Sequence, residues 1–460
     1  MPIESYSQAI EFWHSRVNYE HRGMPADLRE LKLDRMRDLL RHLGHPERGL
    51  RIVHIAGSKG KGSVAAFVAS ILQEAGHKTG LFTSPHLMRV EERVQLNGVP
   101  IAPEELISLM RRIEQVAPAV EREHASGLTF FEVVTALGFL FFARQQVDVA
   151  VIEVGLGGRF DSTNVCSPSV CVITSISFDH TQQLGNTLSA IAREKAGIIK
   201  PGIPVVSGVT DAEPAQVIRD TARERGAPLT VLGEDFWFTY HAGQVTADRS
   251  LPPLASVRTR RQTYPRMELS LLGAHQAANA AVAVATIEQV QAQGLSVPDR
   301  AIREGLRKAR WPGRIHLLGT RPFRVVDSAH NVASCEALVR TLQESFPEVR
   351  RKVLVFGVSR DKDLPGILKV LAPHFDTAIF TRYRSSQRGA EPEELSRLWS
   401  ECGGQHGQVV SVPQDAWQQA CQLAGEADLV CATGSVFLAG ELLAVVENRS
   451  GDAAAWLRPS

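Results

Sequence analysis

From about residue 51 onward, short apolar runs alternate with longer stretches in which apolar residues return every three or four positions. Runs at 51–56, 79–83, 148–154, 170–175 and 204–209 have the length of buried strands. Stretches at 64–75, 104–116, 131–144 and 188–199 have helical periodicity. This alternation predicts an α/β fold around a mainly parallel sheet. Residues 236–272 break the rhythm: short alternating runs flank a polar loop bearing Arg258, Arg260 and Arg261, which predicts a small antiparallel insert with solvent-facing arginines. The alanine-rich stretch 274–293 reads as a buried helix. Ser296, three residues before Asp299, reads as a capping box opening the next helix. Trp311-Pro312-Gly313-Arg314 then interrupts the pattern. Beyond it, runs at 323–326, 352–357, 377–381, 409–412 and 429–433 begin a second α/β series. The expected organisation is a larger domain over 1–313 and a smaller Rossmann-like α/β domain over 314–460, the latter without a dinucleotide fingerprint.

Composition limits the function classes. A chain of 460 residues is expected to form two domains. Fifty-one Lys plus Arg nearly cancel fifty Asp plus Glu, which argues against nucleic acid or a membrane surface as partner. The six cysteines have neither C-x-x-C nor zinc spacing, as expected of reduced thiols in the cytoplasm. The opening Met-Pro-Ile-Glu-Ser does not read as a secretory signal, and apolar windows such as 136–143 are far too short to span a bilayer. A cytoplasmic protein is expected.

Candidate chemistry gathers at strand ends. Gly57-Ser58-Lys59-Gly60-Lys61-Gly62-Ser63 lies between the first strand and a helix, the order that builds a phosphate cradle. Backbone N–H groups converge on the anion there, glycine lets the main chain approach, and the helix N-terminus adds a favourable dipole. The loop departs from a strict Walker A motif, because the leading glycine is only three positions before Gly60 and Gly62 separates Lys61 from Ser63. A bare glycine-rich turn is the alternative, but two lysines beside a helix N-terminus oppose its dipole unless a polyanion is bound. The segment 153–164 opens with Glu153, a carboxylate of the kind a phosphate-bound Mg²⁺ requires. Thr83-Ser84-Pro85-His86 and Ser177-Phe178-Asp179-His180 end two further strands, where ligands collect in open α/β sheets. Each residue also has a plain reading: Ser84 as a turn cap, Glu153 as an arginine partner, His180 as a loop histidine. Lys195, on a helix beside Arg193 and Glu194, reads as a surface ion pair. Asp327 and His330 end a strand of the second domain, which suggests a site closed between domains.

Together these segments resemble folylpolyglutamate synthase/dihydrofolate synthase, the folate branch of the Mur ligase superfamily. The likeness runs in order through 57–63 (G-[TS]-[NK]-G-K-G-[ST]), 81–87 (L-F-T-S-P-H-L), 153–164, 176–185, 193–198, 273–279, 311–314 (W-P-G-R), 327–331 (D-x-A-H-N), 360–363 (R-D-K-D) and 433–435. It implies a Mur-ligase-like P-loop ATP-binding domain followed by the smaller C-terminal domain. It further implies that the loop holds the ATP phosphates, with Lys61 as their charge partner. Ser84, Glu153, His180 and a carbamylated Lys195 would hold two Mg²⁺, which replaces the ion-pair reading of Lys195. Asn279, Arg314 and Asp327 would contact the nucleotide, and His330 would face the reacting phosphate. Thr129, Phe131 and Asp161 would surround the pterin, and an aromatic such as Phe131 suits a flat ring. Two segments depart from the family pattern: Leu31-Lys32-Leu33, where L-G-L is usual, and the basic tract 382–389.

The reaction so implied joins L-glutamate to the carboxylate of dihydropteroate or tetrahydrofolate through an acyl phosphate, in a monomer. A cell-wall Mur ligase would need an N-terminal sugar-nucleotide domain, and only about 50 residues precede the loop. A non-catalytic nucleotide switch would need neither a second metal nor an acceptor pocket.

Overall fold

The computed structural model describes residues 3–22 and 33–450. Its first sheet contains β1 (Ile52–Ala56), β2 (Thr79–Phe82), β3 (Val94–Leu96), β4 (Val99–Pro100), β5 (Val149–Glu153), β6 (Val170–Ile173), β7 (Val205–Ser207) and β8 (Leu229–Val231), in the order β4-β3-β2-β5-β1-β6-β7-β8. All pairings are parallel except those of β3 with β2 and with β4. β1 is central, with Ile52 opposite Ala150 of β5 and Val53 opposite Val170 of β6. Val53, Ile55, Val151 and Val172 pack on one face against helices Lys61–Glu74 and Ala274–Ala292. Ile52, Ala150 and Ile152 pack on the other against helices Pro103–His124 and Phe130–Gln145. Burial on both faces is why these strands read as short, mostly apolar runs. The chain runs from β1 to β2 on one side and from β5 to β6 across to the other. The loops after β1, β5 and β6 therefore open a crevice at the carboxyl ends of the strands.

The expected insert is present as an antiparallel sheet of β9 (Phe236–His241), β12 (Leu254–Thr259) and β13 (Thr263–Glu268). Its arginines are exposed but engaged locally: Arg258 lies over Trp237 and Arg260 pairs with Asp235 at 2.6 Å. Between β9 and β12, the hairpin of β10 (Gln244–Val245) and β11 (Ser250–Leu251) reaches over to the second domain. Val245 is buried in that domain's core, Thr320 Oγ1 donates to the Ala247 carbonyl at 3.2 Å, and Arg321 pairs with Asp248. The second sheet is β14 (His316–Thr320), β15 (Phe323–Val326), β16 (Lys352–Phe356), β17 (Thr377–Phe380), β18 (Gly407–Val409) and β19 (Leu429–Thr433), ordered β14-β15-β19-β16-β17-β18 and parallel apart from β14.

Several boundaries differ from the sequence expectation, each for a physical reason. Helix Pro103–His124 runs past residue 116 and through Pro118, because the buried stripe Leu106, Leu109, Ile113, Ala117 and Val120 continues and outweighs one lost backbone bond. β18 lies at 407–409 rather than 409–412, because Pro413 opens the next helix and holds Val412 as its cap. The capping box at Ser296 does not form: helix Asp299–Lys308 starts from Pro298 with no side-chain cap. Leu31 and Lys32 of the departing segment lie outside the described residues, and Leu33 begins helix Leu33–His42. Among the described residues no helix is long and apolar enough to cross a membrane.

Candidate functional site

The loop after β1 enters helix Lys61–Glu74 through Gly60, whose φ of 82° lies in the left-handed region that glycine adopts without a Cβ penalty. No side chain caps this helix, no acidic residue lies in its first turn, and the first backbone bond runs from Val64 N–H to the Gly60 carbonyl. The earlier N–H groups are thus left for an anion. The segment after β6 pins the loop. Ser58 N–H donates to the Ser175 carbonyl at 2.8 Å, Lys59 N–H to Ser175 Oγ at 3.0 Å, and Thr174 Oγ1 to the Lys59 carbonyl at 2.6 Å. Trp311 packs behind the loop, so close that a Cβ on Gly62 would lie 2.4 Å from its ring.

A cavity of about 430 Å³ opens over this loop between the two domains. Gly57, Ser58, Lys59, Gly60, Lys61, Gly62, Ser63, Ser84, Glu153, His180, Lys195, Asn279, Arg314, Asp327 and His330 all line it. A second cavity of about 550 Å³ is lined by Thr129, Phe131 and Asp161. The two cavities share Ser84, Gly155, Leu156, His180 and His330, so they meet where the metal-ligand candidates stand.

The charges at that junction are tightly organised. Lys59 Nζ donates to Asp179 Oδ2 at 2.6 Å and lies 3.0 Å from His330 Nε2, while Lys362 Nζ donates to Asp179 Oδ1 at 2.8 Å. His330 Nδ1 lies 2.8 Å from the Ser328 carbonyl and can only donate to it, so Nε2 carries the lone pair and accepts from Lys59. Burial, reinforced by Lys59, pushes His330 down to about 4, consistent with a neutral ring. Burial raises Asp179, but Lys59, with Lys362 on its other oxygen, outweighs this and holds the carboxyl well below the usual range. Burial lowers Lys59 to about 8 against the opposing pull of Asp179.

Glu153, at the end of β5, accepts from the Ser84 N–H at 3.2 Å, with Lys61 Nζ at 3.9 Å. Burial raises its carboxyl above the usual range although Lys61 opposes this. His180 is pushed to about 3, chiefly by burial, which keeps its ring neutral and free to ligate. A buried carboxylate with so few donors, beside a hydroxyl and a neutral imidazole, fits a hard divalent cation, with histidine as the less usual member of the set. Lys195 corrects the ion-pair expectation. It is 4% exposed on helix Leu188–Ala196, and among the described residues no carboxylate stands within ion-pair distance of it. Burial, with Lys61 adding to it, lowers its amine to about 7. As an ammonium it does not fit a metal site; as a carbamate it would.

Asp327 accepts from the backbone N–H of Ile315 at 2.9 Å and of Ala329 at 2.7 Å. Asn279 Nδ2 donates to Gln276 Oε1 at 3.0 Å. Around the second cavity, Thr129 is engaged as the N-cap of helix Phe130–Gln145, its Oγ1 donating to Glu132 Oε2 at 2.8 Å, and Arg35 pairs with Glu132. Asp161 accepts from Leu156 N–H at 3.0 Å and from Thr163 N–H at 3.0 Å. Asp179, Lys362 and Trp311 belong to segments quoted for the family likeness, but their roles were not legible there. The signal that could have flagged Asp179 is an acid directly before His180 at a strand end.

The chain matches the Mur ligase middle domain over residues 55–287 and the Mur ligase glutamate ligase domain over 313–436. It is 38% identical over 448 residues to dihydrofolate synthase/folylpolyglutamate synthase of Bacillus subtilis, covering 95% of this chain and 98% of that protein. It is 32% identical to folylpolyglutamate synthase of Lacticaseibacillus casei, covering 95% and 97%. Among solved structures, Mycobacterium tuberculosis folylpolyglutamate synthase complexed with ADP and AMPPCP superposes with a TM-score of 0.86 at 31% identity, over 96% of this chain and 98% of that one. E. coli FolC in complex with DHPP and ADP does so with 0.83 at 28%, over 97% and 99%. A P-loop crevice closed by a second α/β domain, with likeness along nearly the whole of both chains, places the protein in the folylpolyglutamate synthase/dihydrofolate synthase family of Mur ligases.

Proposed function

We propose that this ATP-dependent ligase joins L-glutamate to the carboxylate of dihydropteroate or tetrahydrofolate, releasing ADP and phosphate. The observation that carries this reading is the meeting of the two cavities at Ser84, His180 and His330. ATP in the smaller cavity would bring its γ-phosphate to the point reached by the acid in the larger one. We take 1–313 as the ATP-binding domain and 314–460 as its cover, acting as a monomer as the family likeness implies.

A carboxylate oxygen of the pterin substrate attacks the γ-phosphorus, and the bond to the β-phosphate oxygen breaks to give ADP and an acyl phosphate. The amine of glutamate then attacks the acyl carbon and loses a proton, and phosphate leaves. The chain's task is to align two anions and offset their repulsion. The N–H groups of the loop and Lys61 would hold the phosphates, and Asn279, Arg314 and Asp327 the rest of the nucleotide. His330, neutral with its lone pair on Nε2, stands at the junction beside the transferring group. Phe131 would stack on the pterin, with Thr129 and Asp161 at its edge. Glu153, Ser84, His180 and a carbamylated Lys195 would hold two Mg²⁺, which when bound neutralise charge on the phosphate oxygens. Dihydropteroate and tetrahydrofolate, offered separately with MgATP and glutamate, should each be tested by mass analysis of products. The expected result is a product heavier by one glutamyl unit from at least one acceptor; ATP turnover with neither acceptor extended would contradict the reading.

A further inference from the structure

His54 is a fully buried histidine in the middle of the central strand, on the side of the sheet opposite the P-loop helix, and the mechanism above does not use it. Its Nε2 lies 2.9 Å from Thr163 Oγ1, and Thr163 Oγ1 lies 2.5 Å from Asp161 Oδ1. Among the described residues its Nδ1 has no partner. Neither His54 nor Thr163 lines either of the two cavities described above, whereas Asp161 lines the larger one.

The direction of these bonds follows from counting hydrogens. A hydroxyl has one proton to give and a neutral imidazole has one N–H. Burial lowers His54 to about 3, so the ring is neutral. A buried N–H without a partner is rarer and costlier than a buried lone pair without one. The proton of His54 therefore sits on Nε2 and is donated to Thr163 Oγ1. Thr163 must then give its own proton to Asp161 Oδ1, which must accept. Leu156 N–H on Oδ2, Thr163 N–H also on Oδ1 and a further backbone contact from Gly155 hold the carboxylate from the protein side, while Asp161 still lines the larger cavity.

We propose that His54 and Thr163 are positioning residues that hold Asp161 as a hydrogen-bond acceptor for N–H donors of the heterocyclic substrate. Rested on the folate reading, this assigns part of the pterin affinity to two side chains that never touch the ligand. Without the relay, the Asp161 carboxyl could turn or accept a proton, and either change would blunt its recognition of ring N–H groups.

The test compares Thr163→Val, which keeps the shape and removes the hydroxyl, with Thr163→Ser, which restores it. Binding of dihydropteroate and of tetrahydrofolate is measured calorimetrically alongside binding of a non-hydrolysable ATP analogue. Thr163→Val is expected to weaken the acceptor that wild type binds by about tenfold or more, Thr163→Ser to lie within about twofold of wild type, and the analogue to bind all three alike. Equal acceptor affinity in the Val and Ser variants would overturn the relay alone. Wild type binding neither acceptor would overturn the folate reading and the relay with it. Loss of analogue binding in Thr163→Val would mark a damaged fold, and the pair His54→Leu and His54→Gln then carries the same comparison, Gln alone restoring a donor.

Discussion

Lys195 shows how much a single side chain's surroundings can change its chemistry. Its folded-state value near 7 lies well below that of an unfolded lysine, because burial penalises the ammonium. Between those two values the folded chain holds a neutral amine where the unfolded chain holds a cation. Carbamate formation consumes the neutral amine, so it should increase as pH rises through about 7. Incubation with ¹³C-bicarbonate should therefore give a carbamate resonance that is stronger at pH 8 than at pH 6 and absent from Lys195→Met; no such signal at pH 8 would contradict the assignment. At this scale the sequence placed candidate residues at strand ends, and their individual roles came from the family likeness. The phosphate loop, Glu153 and His180 were legible from spacing and strand ends. Lys195 looked like a surface residue because helical periodicity does not reveal which face the rest of the molecule covers. His54 is one polar position in an apolar strand, and its partner Thr163 lies 109 residues further on, a pairing that no local pattern contains.

The elements follow from the same balance of burial and backbone geometry. Most parallel strands were readable because both faces are covered, and the insert because its alternation differs; the three-residue edge strand β8, only partly buried, left no such run. The end of helix Pro103–His124 was not, because a long-range apolar contact overrode the local signal of Pro118. The start of helix Lys61–Glu74 depends on Gly60. A Cβ there would carry the strain of a positive φ and would lie 2.4 Å from Asn279 Oδ1. Gly60→Ala is expected to destabilise the protein by about 1–2 kcal/mol and to weaken binding of an ATP analogue about tenfold or more, as the loop's N–H groups turn away. Thermal melts and titration calorimetry check both, and unchanged nucleotide affinity would contradict the role given to this turn.

Across the whole molecule, several contacts join the domains besides the chain itself, among them the hairpin β10–β11 with its buried Val245, the shared carboxylate of Asp179 between Lys59 and Lys362, Arg388 donating to the Glu20 carbonyl, and Leu87 and Met88 packed on the second domain's core. The Asp179 contact lies at the junction of the cavities, where an incoming phosphate would compete with Asp179 for both lysines. Lys362→Met should loosen the apposition, raising the radius of gyration in small-angle scattering without nucleotide, while ATP analogue plus acceptor restores compactness. An unchanged radius would mean that the other interdomain contacts set the arrangement without Lys362. The central claim is that a carboxylate from one cavity attacks phosphorus in the other. Acceptor labelled with ¹⁸O in that carboxylate tests it most directly, by mass analysis of the phosphate released on ligation. One ¹⁸O per phosphate is the predicted result, because the attacking oxygen leaves with phosphorus; phosphate free of label would contradict the acyl phosphate and the account built on it.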